Sequence, residues 1–266
     1  MPLKLIAVDM DGTFLDDHKK YNEGYFSQLF KRMQQQKIEF VVASGNQYEQ
    51  LFSFFTNYAP EISFVAENGG NIVVHQKYLE HARIPLRIVN KVNRIITDFC
   101  PSFIAACGFK SAYILDQKLS QEEYEFAAFY FPKIKKVSSF KEIDDDIIKY
   151  SLDFPRQDAG IIASQLQAEL GSDLKVVPTG GGGIDFILPE VHKANGIKRV
   201  QEFLNIADNE VAAFGDNGND VEMLSKANYS FAMANATSQV KQVAKQVIGD
   251  NNHESVLKTI DQLLAM

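Results

Sequence analysis

The chain has 266 residues, of which 45% are hydrophobic and 23% charged, and its formal net charge at pH 7 is −7. This composition is typical of a folded protein with a sizeable core, and the acidic balance argues against nonspecific binding to nucleic acid, which depends on Lys and Arg. Because the chain shows neither a signal-peptide pattern nor an apolar run long enough to span a membrane, we expect a cytoplasmic protein with no membrane partner.

The first part of the chain alternates strand and helix patterns. A short run of branched apolar residues, 5–8, predicts a strand that is buried on both faces and ends at two acids, Asp9 and Asp11. Further along, the spacing predicts a helix face over 26–33 with Asn22 as its N-cap, a strand over 38–43, a helix face over 48–55, a strand over 63–66 and a hairpin strand over 72–74. Strands alternating with helices indicate βαβ units and a parallel sheet.

The pattern changes near residue 82, where helical stripes and short strands no longer alternate regularly. Residues 148–154 alternate apolar with polar side chains, Lys149 among the polar ones, and this period of two predicts a strand with one buried face. The glycine-rich stretch Gly180–Gly183 lacks the Lys-Ser/Thr of a P-loop and is interpreted as a flexible loop between two strands. These features predict a separate α+β unit.

The first pattern resumes near residue 190. Lys193 stands at the start of a predicted helix, and a buried strand over 211–214 ends in the polar stretch 215–220. The sequence therefore predicts an α/β core domain made of residues 1–82 and 190–266, interrupted by an inserted α+β domain at 83–189.

Three predicted strand ends of the core carry polar loops with glycine, and ligands of open parallel sheets bind at such ends. The loops and the nearby helix start supply four carboxylates, a hydroxyl with backbone amides, and one ammonium: Asp9, Asp11, Asp216, Asp220, Ser44, Gly45 and Lys193. Magnesium prefers oxygen ligands, a lysine offers a point charge to phosphate, one carboxylate can be a nucleophile and a second can exchange protons. This combination favours phosphoryl transfer.

These residues resemble a known set of motifs. Asp9-Met10-Asp11-Gly12-Thr13, Ser44-Gly45, Lys193 and the stretch 215–220 resemble motifs I to IV of the haloacid dehalogenase (HAD) superfamily, in the right order. The insertion resembles the C2B cap of the Cof-type subfamily, and longer phrases such as 42–48 and 192–197 resemble its bacterial sugar phosphatases. The resemblance implies a Rossmann-like parallel-sheet core with a C2B-type cap domain.

The resemblance also implies roles for individual residues. Asp9 would be the nucleophile and a Mg²⁺ ligand, Asp11 the general acid/base and a ligand through its backbone carbonyl, and Asp216 the third protein ligand. Ser44, Gly45, Lys193 and Asn219 would bind the phosphoryl group. Asp220 would orient Lys193 or bridge to the metal through water. One departure is Asn46, which stands where many Cof-type relatives have Arg.

The implied function is Mg²⁺-dependent hydrolysis of small phosphomonoesters, above all sugar phosphates, through an aspartyl-phosphate on Asp9, with no nucleic-acid or protein partner expected. Three alternatives stay open: a phosphomutase on the same scaffold, a phosphatase acting on pyridoxal phosphate or flavin mononucleotide, and a noncatalytic phospho-accepting regulator, which would not need Asp11. Asn68 has two interpretations, a turn residue or a polar contact near the site, and the turn is favoured because the sequence there is Asn68-Gly69-Gly70.

Overall fold

The structure is a computed structural model that describes residues 3–115 and 119–266. In chain order, its strands are β1 Leu5–Val8, β2 Glu39–Ala43, β3 Ser63–Ala66, β4 Asn71–Val74, β5 Lys77–His81, β6 Phe103–Gly108, β7 Ala112–Leu115, β8 Ile134–Val137, β9 Ile147–Asp153, β10 Lys175–Gly180, β11 Gly183–Ile187, β12 Val211–Gly215, β13 Tyr229–Ala232 and β14 Gln246–Val247. Its α-helices are α1 Glu23–Gln35, α2 Tyr48–Phe54, α3 Leu86–Phe99, α4 Gln121–Tyr130, α5 Ala159–Leu170, α6 Lys193–Leu204, α7 Val221–Lys226, α8 Ser238–Val243 and α9 Ser255–Leu264.

The chain folds into two compact units. Met1–Gly45, Thr56–Leu79 and His192–Met266 form the first unit, and Asn46–Phe55 and Glu80–Val191 form the second. The domain limits drawn from the sequence, at 82/83 and 189/190, stay a prediction.

The sheet of the first unit has the strand order β14-β13-β12-β1-β2-β3-β4-β5. β1 lies in its centre and pairs in parallel with β12 on one side and β2 on the other. All four residues of β1 are fully buried, as expected for a strand covered on both faces. β4 returns antiparallel beside β3, which confirms the predicted hairpin. The α/β class with a parallel core sheet is thereby confirmed.

The helices of this unit begin and end where their sequences indicate. Asn22 caps α1, because its side-chain oxygen accepts a hydrogen bond from the Tyr25 backbone N–H at 3.0 Å. Phe26, Leu29, Phe30 and Met33 form the buried face of α1. His192 caps α6 through its ring Nδ1, which accepts from the Asn195 N–H at 3.3 Å, so Lys193 is the first residue of that helix.

The second unit contains a sheet of order β10-β11-β9-β6-β7-β8, whose neighbours are antiparallel except for the parallel pair β7 and β8. Helices α3 and α5 contribute to a hydrophobic cluster with one face of this sheet, where Tyr150, Leu152 and Phe186 are buried. A second cluster consists of alternate residues of β6 and β7, Ala105, Cys107, Ala112 and Ile114, together with Phe131 at the end of α4. The sheet is therefore buried on both faces around β6 and β7.

One prediction within this unit was wrong. Lys149 is 3% exposed rather than solvated, and its Nζ donates to Oδ2 of Asp185, also buried, at 2.9 Å. The one-sided burial inferred from the period of two fails because the residues flanking Lys149 across the sheet, such as its register partner Cys107, belong to the second cluster. The stretch Gly180–Gly183 connects β10 and β11, as predicted, and Phe154 N–H donates to Gly182 O at 3.1 Å. The flexibility assigned to this stretch stays a prediction.

Over residues 3–115 and 119–266, no helix combines the length and the apolar character that crossing a membrane requires.

Candidate active site

The predicted site residues follow three neighbouring strands at the same edge of the first unit's sheet. Asp9 comes directly after β1, Ser44 directly after β2, and the stretch 215–220 closes β12. Because β12, β1 and β2 are adjacent and parallel, their carboxyl ends meet, and β1 is the point from which the strand order runs in opposite directions. The topology thus gathers residues that are up to about two hundred positions apart in sequence.

Lys193 lies at the centre of this arrangement. Its Nζ donates to Oδ1 of Asp9 at 2.5 Å and to Oδ1 of Asp220 at 2.7 Å, and its side chain is completely buried. Burial disfavours the charged amine, but the charges of Asp220 and Asp9 outweigh burial and raise the pKa of Lys193 above its usual value. Lys193 is therefore a fixed positive charge beside Asp9.

Asp220 is held by more than this lysine. Its second oxygen, Oδ2, accepts from the backbone N–H groups of Asp216 and Asn217, each at 3.0 Å. These two hydrogen bonds close the loop after β12 and hold the Asp220 carboxylate in the position where it binds Lys193.

Asp216 is fixed from the loop after β1. Thr13 donates its hydroxyl to Asp216 Oδ1 at 3.0 Å. Gly12 has φ +77°, and a Cβ on it would lie 2.7 Å from Asp216 Oδ2, so both the backbone conformation and the close approach require glycine there. The loops after β1 and β12 are packed against each other at this point.

Three carboxylates converge on one place. Asp9, Asp216 and Asp220 each offer an oxygen within 4.8 Å of the others. Burial is the main cause that raises the pKa of Asp216 to about 6, and the charge of Asp220 adds to it. Burial also raises the pKa of Asp9 well above its usual range, with Lys193 acting in the opposite direction. Three acids with one ammonium leave an excess of negative charge.

This donor set fits a hard divalent cation. Carboxylate oxygens are the ligands that Mg²⁺ prefers, and three of them converge here beside a single ammonium. The Asp11 side chain is not one of the three that converge, and its Oδ1 accepts from Lys19 Nζ at 2.5 Å. A backbone-carbonyl role for Asp11 would leave its carboxylate in this half-exposed position.

Ser44 and Gly45 follow β2, on the other side of β1 from β12. Ser44 is 2% exposed, and its N–H donates to Val65 O at 3.0 Å. Gly45 lies against the side chain of Asn68, and Asn68 Oδ1 accepts from Asn219 Nδ2 at 3.0 Å. Two contacts were absent from the sequence-based set, those of Thr13 and Lys19, and the contact of Asn68 was the less favoured of its two interpretations. Thr13 stands inside the first motif, whereas nothing in the sequence singles out Lys19.

The fold and the site define a class of enzyme. The family model of haloacid dehalogenase-like hydrolases matches residues 6–260, and the chain belongs to this family.

Relatives of known name are phosphatases. The chain is 43% identical over 264 residues to the Escherichia coli 5-amino-6-(5-phospho-D-ribitylamino)uracil phosphatase YbjI, with 99% of this chain and 97% of YbjI covered. It is 23% identical to phosphoglycolate phosphatase 1 of Saccharolobus solfataricus, covering 98% and 96% of the two chains. The crystal structure of SMU.1108c from Streptococcus mutans superposes with a TM-score of 0.93 at 32% identity, covering 99% of this chain and all of that one. The protein is a phosphatase of the HAD type.

Proposed function

We propose that this phosphatase hydrolyses small phosphomonoesters with the help of Mg²⁺, by forming and hydrolysing a phosphoryl group on Asp9. The observation that carries the proposal is the junction of Asp9, Lys193 and Asp220, with Asp216 alongside. A buried carboxylate beside a fixed ammonium has a defined orientation, and a phosphoryl group next to it would meet positive charge.

The two half-reactions divide the work between two acids. In the first, a carboxylate oxygen of Asp9 bonds to phosphorus while the bond to the leaving oxygen breaks, and Asp11 gives that oxygen its proton. In the second, Asp11 takes a proton from water, the water oxygen bonds to phosphorus, and the bond to Asp9 breaks. The half-exposed carboxylate of Asp11 suits a group that must exchange protons with substrate and water.

Asp9, Asp216 and the Asp11 backbone carbonyl would hold Mg²⁺, which would neutralise the carboxylates and the phosphoryl oxygens when bound. Lys193 would bind a phosphoryl oxygen together with Ser44, the backbone N–H of Gly45, and Asn219. Asp220 would orient Lys193, as the 2.7 Å contact between them indicates.

For the substrate we propose a phosphate ester of a sugar or sugar alcohol. Two lines support this class: the sequence phrases that resemble bacterial sugar phosphatases, and the 43% identity to a phosphatase named for a phosphorylated ribityl compound. The substrates named in both lines carry a phosphate on a hydroxyl-rich carbon chain. The second line favours a specific candidate, 5-amino-6-(5-phospho-D-ribitylamino)uracil itself.

The test is phosphate release from a panel of esters, with Mg²⁺ and with chelator. The panel contains sugar phosphates, the phosphorylated ribitylaminouracil, nucleotides, pyridoxal phosphate and flavin mononucleotide. We expect Mg²⁺-dependent release that is strongest for the first two classes. Strongest release from a nucleotide or a cofactor would contradict the substrate class, and conversion of a hexose 1-phosphate to its isomer without free phosphate would identify a mutase.

The Asp9→Asn variant tests the mechanism. We expect it to lose about 10³-fold or more of the activity, since the nucleophile is gone. It should stay folded, because burial already favours the uncharged form of this side chain. Asp208→Asn is the matched control, because Asp208 is exposed and pairs with Lys198 on the surface. Comparable activity in the Asp9 and Asp208 variants would rule out Asp9 as the nucleophile.

A further inference from the structure

Asn68 occupies a tight turn directly after β3. Its backbone has φ 57° and ψ 26°, the left-handed region that asparagine tolerates better than most residues. Its N–H donates to the carbonyl of Ser44 at 2.9 Å. These features account for an asparagine as a turn residue, but they involve the backbone alone and leave its side-chain amide unexplained.

The side-chain amide is buried among residues of the candidate site. Asn68 is 1% exposed, whereas Asn205, another left-handed asparagine at the end of α6, is exposed. The Oδ1 of Asn68 accepts from Asn219 Nδ2 at 3.0 Å. A Cβ on Gly45 would lie 3.2 Å from both Oδ1 and Nδ2 of Asn68, tighter than most real contacts. The Asn68 amide therefore lies between the loop after β2 and the loop after β12.

We propose that Asn68 is a positioning residue for phosphate binding, acting through the amide of Asn219. This inference rests on the proposed function, in which Asn219 and the Gly45 N–H bind the phosphoryl group. An amide NH₂ carries two N–H groups. Because one of those of Asn219 is directed to Asn68, the plane of its amide is set, and the second N–H has a fixed direction in which to meet a phosphoryl oxygen.

The same arrangement gives Gly45 a role that its backbone does not explain. Any side chain at position 45 would press on the Asn68 amide and displace the acceptor that holds Asn219. Gly45, Asn68 and Asn219 are thus connected in a row. Gly45 leaves room for the Asn68 amide, and the Asn68 amide holds the Asn219 amide. Groups held in this way before the ligand arrives lose little freedom on binding.

Asn68→Gly is the informative variant, because glycine adopts the left-handed conformation without strain and keeps the N–H to Ser44 while removing the amide. We expect kcat/KM to fall about tenfold, the size expected for one hydrogen bond to a charged group. We also expect inorganic phosphate to bind the Mg²⁺-loaded protein about tenfold more weakly by calorimetry, which needs no turnover. Asn205→Gly is the matched control for an asparagine-to-glycine change at a left-handed position.

The double variant Asn68→Gly/Asn219→Ala separates positioning from a general loss of structure. If Asn68 acts through Asn219, phosphate binding by the double variant equals that by Asn219→Ala alone. Losses that add, or phosphate affinity in Asn68→Gly equal to that in Asn205→Gly, would overturn the proposal. Phosphate binding that follows the expected pattern in a protein that hydrolyses none of the esters would place the failure in the proposed function instead.

Discussion

Each unit buries a lysine on a carboxylate, and the two lysines differ in what surrounds them. In the first unit Lys193 contacts two carboxylates, Asp9 and Asp220, with Asp216 close by. In the second unit Lys149 contacts the carboxylate of Asp185 at 2.9 Å, and both side chains are almost completely buried. The first arrangement carries excess negative charge, whereas the contact in the second joins one ammonium to one carboxylate.

The difference separates two reasons for burying a lysine. A buried pair of opposite charges loses hydration but gains attraction, and well-packed apolar residues can often replace it without loss of stability. Excess charge of one sign raises the pKa values of the acids in a cluster, and for Asp9 and Asp216 it adds to the larger effect of burial. Such a cluster is unfavourable until a cation arrives, so it indicates a site rather than a scaffold.

Replacing each lysine by methionine should give the largest contrast. Lys193→Met removes a fixed charge beside the reacting group, and we expect phosphate release to fall about 10²–10³-fold. Lys149→Met leaves Asp185 buried with one cation fewer, and we expect a loss of about 3–5 kcal/mol in the free energy of unfolding. The measurements are steady-state kinetics and urea unfolding, each with and without Mg²⁺.

Magnesium provides the control within this pair of variants. Mg²⁺ should stabilise Lys193→Met, because its carboxylates still converge. In Lys149→Met, Mg²⁺ should increase the free energy of unfolding by as much as in the wild type, because that change leaves the carboxylate cluster intact. If Mg²⁺ offset the destabilisation of Lys149→Met specifically, the two buried lysines would not differ in kind.

Double replacements give the next largest effect. We expect Lys149→Met/Asp185→Leu to recover most of the stability lost in the single variant, and to reach or exceed the wild type by about 1–4 kcal/mol if the new side chains pack well. Lys193→Met/Asp220→Leu should recover stability without recovering phosphate release. The unfolding free energies of the single and double variants form a double-mutant cycle for each pair. A double variant at Lys149 that is no more stable than the single one would show that the pair is needed for more than charge balance.

The sequence predicted the two lysines with unequal success for a physical reason. Lys193 could be assigned to the site because a parallel sheet brings the ends of its strands together, so that the polar loops at those ends and the start of the nearby helix were expected to lie close to one another. Lys149 was assigned to a solvated face because a period of two indicates only that the faces differ. It cannot show that a second cluster, including Cys107 and Phe131, covers the polar face as well.

The sequence patterns predicted no strand at β5, β6 or β8, and the reason is related. β5 and β8 are the outermost strands of their sheets and carry exposed side chains, so they lack the buried apolar pattern by which strands are recognised. β6 is central but consists largely of small residues, Ala105, Ala106 and Cys107, which have little strand preference of their own. Asn68 shows the same limit at the site: its turn was readable from neighbouring glycines, but its contact with Asn219 depends on tertiary structure.

The smallest predicted effect is the pH dependence of stability, which we expect from the carboxylate cluster of the first unit and not from the Lys149–Asp185 pair of the second. The pKa of Asp216 is raised from 3.8 to about 6, mainly by burial, so its ionisation is harder in the folded protein than in the unfolded chain. Without metal, this group therefore lowers stability as pH rises from 3.8 through about 6. Magnesium binds the ionised carboxylate, so protons compete with it below that range.

We therefore expect Mg²⁺ to raise Tm more at pH 7.5 than at pH 5. At a metal concentration one hundred times Kd, the free energy of unfolding should increase by about 2.7 kcal/mol when the carboxylates are ionised. Thermal unfolding across this pH range, with matched ionic strength, measures it. Asp216→Asn should reduce both the gain and its pH dependence, whereas Lys149→Met/Asp185→Leu should leave both unchanged, because that pair lies in the other unit. A gain independent of pH in the wild type would mean that the metal is not held by carboxylates that protonate near pH 6, and the excess of negative charge around Lys193 would then need another explanation.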